Sequence, residues 1–318
     1  MKNIFFIVLL SSLFSCNSEN EIVKVSSTGK INSVLVVVDN DKWEGEVGDI
    51  IKGVLGKSLV GLPQEEHRFS LTQIASHNFN KMLRPSRNII SISFSNKNSF
   101  AILKDKYAEP QRVIVIHAKN KESLAELLQK YENKIVAVFK ESDLKTKQKL
   151  LLKKYWDVDQ INTFKNQKIA IKIPFAYRKV QDTLDYIWFR KDIPEGYLNI
   201  QAYIVPFSGN FTKEGIIKIR DQKGAQFIPG EKEGTHLITE DKITPTQYNT
   251  TKLGLEAIET RGVWKMKGGF MGGPFLSYAL LDTKNSRIII AEGFVYAPNV
   301  AKRDYLFELE ALLQTLEI

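Results

Sequence analysis

Cysteine is almost missing from this chain: one thiol, Cys16, stands in 318 residues, so no intramolecular disulfide framework can staple the fold. Histidine is nearly as scarce. His67, His77, His117 and His236 are scattered, without His-x-x-x-His spacing or an accompanying carboxylate cluster, and no metal or other cofactor is expected on that pattern. Beyond residue 16 no apolar run approaches the roughly 18 residues that a helical membrane span needs. No serine sits in a Gly-x-Ser-x-Gly elbow. Gly56-Lys57-Ser58 lacks the glycine that a phosphate loop requires five positions earlier, where Ile51 stands, and the tripeptide ends a helical pattern instead of opening one. Acidic pairs such as Glu65-Glu66 are expected to be solvated, although a glycosidase needs only two carboxyls placed by the fold, which spacing does not exclude.

What is present begins at the first residue. Lys2, the apolar run Ile4–Leu10 and small residues before Cys16 have the layout of a secretory signal, too short to span a bilayer. Leu13-Phe14-Ser15-Cys16 resembles the lipobox cut by the lipoprotein signal peptidase, with Phe14 departing from the usual small residue. The resemblance implies a signal peptide over 1–15 and a mature protein that starts at a lipidated Cys16. Each buried methylene contributes about 0.8 kcal/mol, so the two or three acyl chains of such lipoproteins (a palmitate among them) make a stable membrane anchor. Residues 17–30 are polar and aperiodic, as a tether should be; the flexible stretch is taken as 16–32. The expected location is the cell envelope, at the outer membrane on its periplasmic or surface face.

Lys and Arg number 45 against 36 Asp and Glu, a net charge of +9, and removing Lys2 with the leader leaves about +8. A basic surface suits nucleic acid, anionic lipid or anionic glycan. Export makes nucleic acid the poorest of these, so the expected partners are the membrane and an envelope protein or glycan.

The body reads as α+β, with mixed or antiparallel sheets, helices packed on one face, and two similar α+β units over 33–160 and 161–318, or one sheet shared by both. In the first half, strand patterns at Val34–Val38, Phe69–Ile74, Ile89–Phe94 and Val113–His117 frame a helix through Trp43–Leu55. Asn120 is placed to cap a helix carrying Leu124, Leu127, Leu128 and Tyr131, and a Lys-rich helical stretch follows from Asp143 to Trp156. In the second half, strands are expected at Lys168–Ile173, Tyr186–Arg190 and Leu198–Phe207, then a helix from Lys213 to Asp221 and a turn-rich stretch over 224–234. The clearest hairpin joins Phe275–Asp282 to Arg287–Tyr296, and a final helix carries Leu306, Leu309, Leu312, Leu313 and Leu316.

The most unusual segment is Gly268-Gly269-Phe270-Met271-Gly272-Gly273-Pro274. Two glycine pairs beside Trp264, Lys265, Lys267 and Phe270 make a basic, aromatic loop able to hold a sugar, a phosphate or a peptide; the plainer alternative is a wide turn between strands. Tyr177, Arg178, Tyr186, Trp188, Arg190 and Tyr197 form a second aromatic and basic set. With the lipobox, the strand ending at Asp39, Arg261-Gly-Val-Trp-Lys-Met-Lys-Gly-Gly-Phe-Met-Gly-Gly-Pro-Phe and Glu-Gly-Phe-Val-Tyr-Ala-Pro, the chain resembles a family of Bacteroidota lipoproteins known as a domain of unknown function. That resemblance implies an envelope lipoprotein and carries over no activity. Two functions stay open: a binding or assembly component of the envelope, and a hydrolase of envelope polymers.

Overall fold

The computed structural model describes residues 24–209 and 211–318; Cys16 and the leader lie outside the described residues. The chain forms β1 (Ser33–Val37), α1 (Asn40–Trp43), α2 (Glu46–Leu55), β2 (Ser70–Ile74), β3 (Asn88–Phe94), β4 (Ser99–Lys104), β5 (Arg112–Ala118) and α3 (Lys121–Leu151). Beyond a short helix α4 (Asn162–Gln167) come β6 (Arg178–Asp182), β7 (Tyr186–Ile193), β8 (Gly196–Pro206), α5 (Lys213–Phe227), β9 (His236–Thr239) and β10 (Thr246–Lys252). The chain closes with β11 (Leu255–Lys267), β12 (Gly272–Asp282), β13 (Arg287–Tyr296) and α6 (Arg303–Leu313). This is an α+β fold with two sheets.

The first sheet is mixed, ordered β2-β1-β3-β5-β4, with only β4 antiparallel to its neighbour. Its central strands read as continuous apolar runs because both faces are covered. Val34, Val36, Ile90, Ile92, Ile114 and Ile116 meet α2 and α3, while Leu35, Val37, Ile89 and Val113 pack under Phe79, Leu83 and Tyr107. The Asn120 side chain accepts the Ser123 amide at 2.9 Å, and Leu124, Leu128, Ile135 and Phe139 then recur on one face of α3. That helix runs unbroken from Lys121 to Leu151, joining the two stretches expected separately and ending short of Trp156, because Ser142 and Asp143 continue the buried stripe as polar residues.

The second sheet is antiparallel, β10-β11-β12-β13-β8-β7-β6, with β9 added to the far half of β11. The two units therefore differ in topology and are not copies. Helices on one face describes the first sheet; the second has apolar residues on both faces and takes α6 on one and α5 on the other. Residues 168–173 form no ladder strand. Ile169, Ile171 and Ile173 are buried, so the alternation is real, but only Ala170 makes a bridge, to Glu317.

The C-terminal helix joins the units. Leu306, Leu309, Leu312 and Leu313 face the large sheet, each contributing about 1.5–3 kcal/mol by burial. Glu308 and Glu310 sit between α3 and the large sheet: Lys147 of α3 and Lys191 of β7 hold Glu308 at 3.0 and 2.7 Å, and Lys140 of α3 and Arg261 of β11 hold Glu310 at 2.6 and 2.7 Å. The N-terminus of α6 is satisfied by Glu66, whose carboxylate accepts the Lys302 and Arg303 amides at 2.7 and 2.9 Å. Glu66, expected to be solvated, is thus a helix cap supplied by the other unit.

Candidate functional site

Two concavities stand out. The first, about 300 Å³, lies at the junction of the units among Arg68, Lys140, Glu259, Arg261, Arg303 and Glu310. Its charges are consumed internally. Arg261 bridges Glu259 and Glu310, Arg68 lies 3.5 Å from Glu132, and Arg303 reaches Asp304, the His67 carbonyl and Ser70. Burial opposes ionisation of Glu310, yet Arg261 and Lys140 outweigh it and hold the carboxyl down at about 2, so it has no proton to give near neutrality.

The second is a groove of about 290 Å³ on the α5 face of the large sheet. Strand register builds it row by row. Tyr186 and Tyr203 pair across β7 and β8, and the next row aligns Trp188, Gln201 and Glu292. Helix α5 covers both rows: Phe227 stacks on Tyr186 at 3.8 Å between centroids, and Arg220 donates to both Glu292 oxygens at 2.9 Å. Burial pushes the Glu292 carboxyl up while Arg220 and Gln201 pull it down. The third row, Arg190, Asn199 and Phe294, and the fourth, Tyr197 paired with Tyr296, are left open and line the groove. Residues 228–231 form one wall and Met266 and Met271 the other. A shallower hollow of about 260 Å³ continues past Gly268 and Phe270.

The polar end has an uncommon arrangement. The Arg190 guanidinium lies 4.8 Å from the Trp188 ring and 4.8 Å from the Tyr197 ring, between them along the strands. Arg190 Nε and Trp188 Nε1 both donate to Asn199 Oδ1, at 3.2 and 3.0 Å. This orients the Asn199 amide with its oxygen occupied. Among the described residues, Asn199 Nδ2 and the terminal nitrogens of Arg190 have no protein acceptor, and they border the groove instead of a sealed interior. Burial lowers the Arg190 pKa, and Arg178 adds to the effect.

The glycine-rich segment serves this site differently from expectation. Trp264 is buried at 2% exposure, its Nε1 donating to the Val295 carbonyl at 3.0 Å, so it belongs to the groove's foundation and not to a surface patch. Gly273 makes that bond possible, since a Cβ there would stand 2.0 Å from the Val295 oxygen. Gly268, at φ +77°, turns the chain at the end of β11. Lys265 is tied to Glu240 at 3.0 Å and to Asp241, Lys267 is exposed at the strand end, and Phe270 projects fully into solvent. The structure thus joins the glycine segment to Arg190 and Tyr197 of the second aromatic set. Tyr177 sits across the sheet, buried and donating to Glu308 at 3.0 Å. Asn199 had no motif to mark it; only its register opposite Arg190 reveals it.

Comparison with protein families matches residues 156–315 to Domain of unknown function (DUF4837). The chain belongs to this family. Residues 27–152 match a second family, Domain of unknown function (DUF8532). A search of the curated proteins finds no match. Among solved structures, the chain is similar to the Saccharomyces cerevisiae Ran-binding protein Mog1p at 6% identity and TM-score 0.33, over 47% of this chain and 89% of that one. A Bacteroides thetaiotaomicron protein shares 12% identity at TM-score 0.24, over 48% and 45%. Human StAR-related lipid transfer protein 5 shares 8% at 0.21, over 44% and 88%. These scores are too low to inform function.

Proposed function

We propose that this DUF4837 protein is a lipid-anchored binding component of the cell envelope, tethered through Cys16 and using the groove beside Arg190 and Asn199 to hold its ligand. The observation that carries the reading is the third and fourth rows of the sheet, which α5 leaves uncovered: an aromatic and methionine-lined concavity into which Arg190 and Asn199 bring donors without protein acceptors. Ligand sites have this character, mostly apolar with a few placed polar groups. The lipobox, the polar stretch after Cys16 and the net charge of +9 support placement at a membrane surface, and no helix among the described residues is long and apolar enough to cross one.

Hydrolysis of envelope polymers is less well supported, because among the described residues the only acid lining the groove is Glu231, at its exposed rim, and Glu259 and Glu310 of the junction cleft both hold Arg261. Two experiments test the reading. Cys16→Ala should abolish radioactive fatty-acid labelling and release the protein from membranes; persistent labelling defeats the anchor. Hydrogen exchange with envelope extract added should protect residues 228–237 and 266–271 in the native chain and not in Met271→Trp, whose larger side chain fills the groove. Equal exchange in both, with and without extract, contradicts the binding site.

A further inference from the structure

We propose that the groove selects a ligand bearing a carboxylate attached to an apolar body, with the in-plane edge of Arg190 and the Asn199 amide nitrogen receiving the carboxylate and the Tyr197, Tyr296 and Met271 surfaces receiving the body. The inference rests on the groove being the binding site and adds the class of ligand. Stacking decides the geometry. With Trp188 and Tyr197 each 4.8 Å from the guanidinium, the N–H groups at its rim are the donors left to a ligand, and a planar, two-oxygen acceptor matches such a fork.

The surroundings agree on sign. No carboxylate lies within ion-pair distance of Arg190 among the described residues; its neighbour Asp192 is 3.8 Å from Arg178 instead. Arg178 itself pairs in register with Arg190, so the end of the groove carries two arginines against one aspartate. Asn199 supplies the second donor because Trp188 and Arg190 occupy its oxygen. A half-buried cation and an amide nitrogen that reach the groove without a protein acceptor are donors an anion can engage. Apart from Glu231 at the exposed rim, the rest of the lining, including Phe294, Met266, Ile228 and Leu237, is mostly apolar, so an anion without an apolar portion leaves that surface unfilled. A free aryl or acyl acid and the C-terminal residue of a peptide share this chemistry.

The test uses calorimetric titration of the full soluble chain with 4-phenylbutyrate, with N-acetyl-Ala-Ala-Phe, and with the primary amide of each. Each acid that fits should bind at least about tenfold tighter than its amide, as loss of a charge-assisted pair implies, and the better of the two acids identifies the source. Arg190→Gln should erase the preference. Asn199→Asp is isosteric, still accepts from Trp188 and Arg190, and should weaken the acid about tenfold or more by facing it with a like charge; it serves if Arg190→Gln does not fold. Amides binding as tightly as acids, a preference that survives Asn199→Asp, or no binding of either acid at millimolar concentration overturns the inference. The broader reading fails separately, if Met271→Trp leaves envelope-dependent protection unchanged.

Discussion

Replacing Glu310 by Gln probes the joint between the units. The carboxylate is 3% exposed and held by Arg261 Nη2 at 2.7 Å and Lys140 Nζ at 2.6 Å, one cation from each unit. A carboxyl that ionises at about 2 in the fold and at its ordinary 4.5 when free contributes about 3 kcal/mol of stability at neutral pH. Because the folded value is the lower one, that contribution is complete above about pH 4.5 and is lost as pH falls toward 2. Glu310→Gln keeps the shape and removes the charge, leaving Lys140 without its anion and Arg261 with Glu259 alone. Urea unfolding followed by tryptophan fluorescence should show the variant about 3 kcal/mol less stable at pH 7, with the gap closing progressively between pH 4.5 and 2. A gap under about 1 kcal/mol at pH 7, or one that does not change with pH, would refute the assignment of Glu310 as an ionised clasp.

Asp143 should behave in the opposite sense. Burial pushes its carboxyl up to about 6, against the pull of the Asn32 amide and Arg87, so folding is penalised as pH rises from 3.8 through 6; Asp143→Asn should gain about 3 kcal/mol at pH 8 and under about 1 kcal/mol at pH 4 in the same unfolding assay. Trp264→Ala should cost about 3–5 kcal/mol by opening a core cavity, whereas Phe270→Ala, at a fully exposed tip, should stay within about 0.5 kcal/mol. Comparable denaturation midpoints for these two variants would contradict their placement. Gly273→Ala should destabilise by about 3 kcal/mol, because its methyl would displace the Val295 carbonyl from Trp264; an unchanged midpoint would show that the close approach is unimportant.

Elements marked by turn and capping residues were legible in the sequence. The hairpin of β12 and β13 and the cap Asn120 followed from turn and capping chemistry. Helix α5 runs to Phe227, beyond its expected end, because Gly224 is not a turn residue: a Cβ there would meet the Leu237 carbonyl at 2.3 Å, so glycine permits β9 to approach the helix. Buried polar residues hid the rest. Asp143 broke the apparent stripe of α3, and nothing in the leucine pattern of the final helix marked Glu308 and Glu310, which meet Lys147 and Lys140 of the other unit. At the site, aromatic and basic composition pointed to the right region, but Trp264 hides under the sheet's last rows while Asn199, an ordinary strand residue by sequence, gains its meaning only from pairing with Arg190.

The central claim is that the groove holds a ligand. Its most direct test is native mass spectrometry of the protein purified gently from the cells that make it, beside the Met271→Trp variant prepared identically. The account predicts a bound species on the native chain, released on unfolding and missing from the variant; two bare chains, or the same species on both, would contradict it.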